Sequence, residues 1–143
     1  MTLSREPATV RAAGLRRGAV PLAVLGAAAA AFAYVADVDP NAPGHYPVCP
    51  LLHYTGVYCP GCGGLRSAYA VAHGHFGTAV GCNAVAVAGY GLFAVLWAVW
   101  FGRAVRGRAF APTLRPWQAW ALGALLVAFT VVRNLPFGAA LAP

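Results

Sequence analysis

Three uncharged apolar runs decide what this chain can fold into. Residues 19–36 (AVPLAVLGAAAAAFAYVA), 84–101 (AVAVAGYGLFAVLWAVWF) and 117–132 (WQAWALGALLVAFTVV) contain no Asp, Glu, Lys or Arg. At 1.5 Å per residue, either of the longer runs makes a helix of about 27 Å, close to a hydrocarbon core of about 30 Å. Sixty per cent of the 143 residues are hydrophobic and 9% charged, with a mean hydropathy of +0.65. A water-soluble domain of this size has too little interior to hide that much apolar surface. The reading is a single-domain, all-α integral membrane protein with three transmembrane helices, at 19–36, 84–101 and 117–135, and a short tail at 136–143.

The charges sit where topology signals sit. All ten basic residues are arginine, against three acids, for a net charge of +7. Arg5, Arg11, Arg16 and Arg17 crowd residues 1–18, and Arg103, Arg106, Arg108 and Arg115 crowd residues 102–116, whereas residues 37–83 hold Arg66 beside Asp37 and Asp39. Arginines at the edges of apolar runs argue against nucleic acid as a partner and for the lipid bilayer. The positive-inside rule then places the N-terminus and the 102–116 loop in the cytoplasm and the 37–83 segment outside. Abundant Ala, Arg, Gly and Pro without lysine points to a bacterial cytoplasmic membrane. Residues 19–36 also resemble a secretory signal ending in Ala33-Tyr-Val-Ala36, but the run is long for a cleaved signal, which favours a retained helix with Pro21 in its first turn. The small residues Ala84, Ala88 and Gly91 give the second span a face suited to self-association or a membrane partner.

The polar chemistry is concentrated in the segment between the first two spans. It holds all four cysteines: Cys49, Cys59 and Cys62 of a Cys-Pro-Gly-Cys run, and Cys82. A Cys-x-x-Cys spacing lets two sulfurs meet one metal ion or each other. Four thiols, or three with His53, match a tetrahedral zinc site. Outside the cytoplasm the same cysteines also fit a disulfide staple. After Gly63-Gly64, residues 65–72 read as a short interfacial or re-entrant helix, ended by His73-Gly74-His75. Arg66 at its start, Asn83 at the entrance of the second span, and Arg133-Asn134 at the end of the third are candidates for one polar or anion-binding cluster. The simplest role for Asn83 is a helix N-cap. His73 and His75 read as turn residues.

Cys49-Pro50, Thr55-Gly56, Cys59-Pro60-Gly61-Cys62-Gly63, Arg66, His73-Gly74 and Asn83, with a closing Arg133-Asn134-Leu135-Pro136, resemble a small bacterial membrane family, domain of unknown function 2752. The pattern covers roughly residues 45–136. It departs at Leu65, where Thr is common, at His75, where an acid often follows, and at Ala84, where Pro is frequent; Cys82 lies outside it. The resemblance implies a membrane protein with its site at these residues and carries no reaction.

Function is expected to be that of a non-enzymatic membrane module whose extracytoplasmic loop is fixed by cysteines, through a disulfide or a metal such as zinc. The alternative is a thiol-redox or lipid-substrate enzyme using Cys59, Cys62 and Arg66. That alternative has only Asp37 and Asp39 as carboxylates on its side, which leaves histidines for general-base work.

Overall fold

The computed structural model describes residues 8–142, with side chains at residues 18–138, 141 and 142. Arg5 and Glu6 of the basic N-terminal segment lie outside the described residues. The described chain is helical and contains no strand. Five α-helices follow in order: α1 Ala8–Asp37, α2 Pro50–Thr55, α3 Gly64–Ala72, α4 Phe76–Val105 and α5 Pro116–Arg133; a 3-10 helix, Pro136–Leu141, closes the chain.

The Gly18–Asp37 part of α1 and the whole of α4 are long and apolar enough to cross a membrane. The rest of the protein buries 11% of the apolar window in the first and none of it in the second. Core helices of a soluble protein are covered by their neighbours, so surfaces this bare and this apolar call for lipid contact. Two of the three expected spans, 19–36 and 84–101, fall within these helices. Helix α5 has 18 residues, with Gln118 near its start and Arg133 at its end.

Helices α1 and α4 run antiparallel. At one end the Trp97 indole N–H donates to the Pro21 carbonyl at 2.8 Å, and Phe101, stacked on Trp97, lies against Gly18. Further along, Phe32 meets Tyr90 edge to face at 5.2 Å. Pro21 was expected in a first helical turn. Helix α1 instead begins at Ala8, so Pro21 lies inside it, fully buried against its partner helix. A proline here removes one intrahelical hydrogen bond.

Short α3 packs on both α1 and α4. Its buried face is made of small residues, Ser67, Ala68 and Ala70. Ser67 Oγ and Tyr90 Oη both donate to the Gly64 carbonyl, at 2.8 and 2.9 Å, which ties the start of α3 to α4. The chain enters α3 through Gly63 at φ +79° and leaves it through Gly74 at φ +76°, conformations that glycine adopts at little cost. Among the described residues, the helix that α5 touches is the closing 3-10 helix, which in turn touches α4. The other anchor of α5 is the cysteine loop.

Candidate functional site

The cysteine loop is held from three sides. Cys49 precedes α2, whose Pro50 occupies the first helical position, and Gly56 at φ +71° turns the chain back toward Cys59. This six-residue helix was not expected from the sequence. It brings Cys49 over the Cys-Pro-Gly-Cys turn: Cys49 Sγ lies 3.5 Å from Cys59 Sγ, and Cys59 Sγ lies 3.1 Å from Cys62 Sγ. All three sulfurs lie within 4.8 Å of one another. The Cys59 N–H also points at Cys62 Sγ, at 3.3 Å.

Asn83 supports the loop from below. It is fully buried, and its extended backbone (φ −164°, ψ 94°) breaks α4 into two stretches. Asn83 Oδ1 accepts from the Ala86 N–H at 2.9 Å, so the side chain caps the longer stretch. Its Nδ2 donates to the Pro60 and Cys62 carbonyls, at 2.8 and 3.0 Å. One residue therefore starts the long helix and fixes the cysteine turn.

The end of α5 supplies the third side. Arg133 is 1% exposed. Its Nη1 donates to the Cys59 and Cys62 carbonyls, at 3.0 and 3.1 Å, while Nε and Nη2, also buried, have no hydrogen-bond partner among the described residues. The guanidinium lies 4.9 Å from the Phe129 ring centre and 5.7 Å from that of Tyr58. Aromatic faces offset part of a buried cation's desolvation, about 0.5–2 kcal/mol each. Asn134 pairs with Tyr58 in both directions: it accepts the Tyr58 N–H at 2.8 Å and donates to the Tyr58 carbonyl at 2.9 Å.

Residues 49–97 match the family described as Protein of unknown function (DUF2752). This bears out the resemblance read from the motifs. The DUF2752 match spans the three clustered cysteines, α3, the Asn83 break and α4 as far as Trp97. Arg133 and Asn134, which complete the site, lie beyond the matched residues. No curated protein and no solved structure matches the chain.

Two groups expected near the clustered thiols stand apart from them. Cys82 and His53 are not members of the sulfur cluster. Cys82 is half-buried and His53 exposed. The polar cluster divides in the same way: Asn83, Arg133 and Asn134 converge on the backbone of residues 58–62, whereas Arg66 is exposed and makes no part of that network. Arg66 instead lines a groove of about 560 Å³, together with Cys49, Cys62 and the connector around Pro43 and Tyr46. Tyr58 and Phe129 were missed by the sequence reading. Phe129 stands four residues before Arg133, a spacing that puts the two on one helix face.

Cys49 and Cys62 differ electrically. The Leu52 backbone N–H at the start of α2, followed by the Cys59 and Cys62 thiols, pulls Cys49 down to about 7. Burial, followed by the neighbouring thiols, pushes Cys62 up to about 12. Without a cation among the sulfurs, Cys49 therefore ionises well before Cys62.

Proposed function

We propose that this chain is a multi-pass module of the bacterial cytoplasmic membrane, non-enzymatic, whose extracytoplasmic cysteine loop is fixed by a divalent metal held by Cys49, Cys59 and Cys62. The convergence of three sulfurs within 4.8 Å carries this reading. A disulfide joins only two of them, whereas a soft cation takes all three. Charge agrees: three thiolates around a divalent ion carry −1, and Arg133 behind the loop carries +1. A disulfide with one neutral thiol leaves that buried guanidinium uncompensated, which is costly. Helix α5 is the third span, with Arg133 drawn in at its outer end. The N-terminus and the 102–116 loop then lie in the cytoplasm, as the arginine distribution favours.

Native intact mass of the purified protein in detergent tests the metal. The expected result is the mass of one bound ion, lost on chelation, with every thiol retained. A deficit of two hydrogens and no added mass means a disulfide and ends the metal reading. Reporter fusions after residues 18, 60 and 110 test the topology, which requires residue 60 to report opposite to the other two.

A further inference from the structure

A metal ion held by three thiolates has a fourth tetrahedral position to fill. The two residues expected from the sequence as additional ligands, Cys82 and His53, lie outside the sulfur cluster. Two of the three cysteines, Cys49 and Cys62, also form part of the wall of the groove of about 560 Å³. The groove therefore adjoins the thiol cluster.

Two polar side chains of the groove are engaged elsewhere. Tyr46 turns its hydroxyl away to donate to the Val38 carbonyl at 3.1 Å. The Asn41 side chain is bound to Asp39, at 2.7 Å. Proline, alanine and glycine make up most of the connector wall. Among the described residues, the charged residue lining the groove is Arg66, at the start of α3, where the chain arrives through Gly63 and Gly64. A helix start and a guanidinium both favour negative charge.

We infer that the metal held by Cys49, Cys59 and Cys62 takes an exchangeable fourth ligand from the groove, a small anion paired with Arg66. This rests on the metal reading above and turns the fixed loop into a binding site. The anion comes from solution or from a lipid phosphate, and both present the same anionic donor.

Cobalt(II) reports the coordination, because its visible bands respond to the number and kind of ligands. The purified full-length protein, loaded with cobalt in zwitterionic detergent, is titrated with azide. The expected result is a saturable band shift, with azide bound about two- to fivefold more weakly by Arg66→Gln. Arg108→Gln, far along the chain in the basic loop, leaves the titration unchanged. Cys82→Ser and His53→Ala keep both the cobalt spectrum and the azide response. The same titration in nanodiscs with and without phosphatidylglycerol separates the sources: a lipid ligand gives a spectrum already shifted in the anionic discs, a free anion gives equal titrations in both. A cobalt spectrum that ignores azide, or one altered by Cys82→Ser, means the chain closes its own site and overturns the inference while leaving the metal intact. A protein that binds no cobalt with all thiols reduced overturns the metal reading itself.

Discussion

Replacing Asn83 with alanine removes three hydrogen bonds that serve two elements. The Ala86 N–H loses the cap of the long stretch of α4, which costs about 1 kcal/mol. The Pro60 carbonyl loses its 2.8 Å donor in a part-buried setting, which costs about 1–3 kcal/mol. The Cys62 carbonyl keeps its Arg133 donor, so its loss adds little. The expected destabilisation is about 2–4 kcal/mol, or roughly 10 °C in thermal unfolding of a chain this size. Two companion variants separate the contributions. Asn83→Ser keeps a capping oxygen and recovers about 1 kcal/mol relative to alanine. Asn83→Asp keeps the cap but aims a carboxylate at two carbonyl oxygens, and is the least stable of the three. Circular dichroism melts in one detergent measure all of them. An alanine variant melting with the natural protein, or an aspartate variant above alanine, would refute the account of Asn83 as the shared support of helix and loop.

Three further outcomes follow from single contacts. In the reduced, metal-free protein, the thiol with a pKa of about 7 is Cys49 and the one near 12 is Cys62. Iodoacetamide labelling of Cys49, read by peptide mass spectrometry, therefore falls as pH drops through 7, while Cys62 labelling stays low throughout that range. Gly138→Ala puts a Cβ into the Val132 carbonyl, a backbone atom with no freedom to swing aside; the 3-10 helix must shift, with a loss of about 1–3 kcal/mol in the same melts. Asn134→Ala breaks both bonds to the Tyr58 backbone, but at an exposed position, so the expected cost is about 1–2 kcal/mol.

The helical class was legible because lipid leaves so little choice: an uncharged run of adequate length dictates a helix whatever packs on it. The short helix at 65–72 was legible for a different reason. Gly63-Gly64 and His73-Gly74 bracket it, and the structure ends the helix within a residue of those signals. Helix α2 was hidden, since Pro50-Leu-Leu-His-Tyr-Thr55 is too short for periodicity to show. The start of α1 was misplaced because arginines at the edge of an apolar run read as a boundary, yet they do not stop a helix from continuing toward water. Within the site, Asn83 and Arg133-Asn134 stood out as polar residues at the rims of apolar runs. What they bind was not legible, because each reaches backbone carbonyls of residues 58–62, and carbonyls leave no trace in a sequence. Arg66 shows the converse: its place in the motif put it with the other polar residues, and the fold gives it the groove instead.

Arg133 separates a structural cation from an electrostatic one. As a clamp it needs only its two carbonyl bonds, and Arg133→Met then weakens the protein equally with or without metal. As the counter-charge to a metal–thiolate cluster, it matters chiefly when the metal is present. In the metal-free protein, methionine removes a buried guanidinium with two unpartnered nitrogens, and the relief offsets the lost carbonyl bonds. In the loaded protein it leaves the −1 cluster unpaired, a loss of about 3 kcal/mol or more for a buried pair. By the thermodynamic cycle, metal affinity then drops by about 100-fold. Competition with a chelator of known affinity reads that change directly, and melts of the two forms close the cycle. Equal losses in both forms would mean that the guanidinium only braces the loop, and that the charge of the cluster is balanced elsewhere.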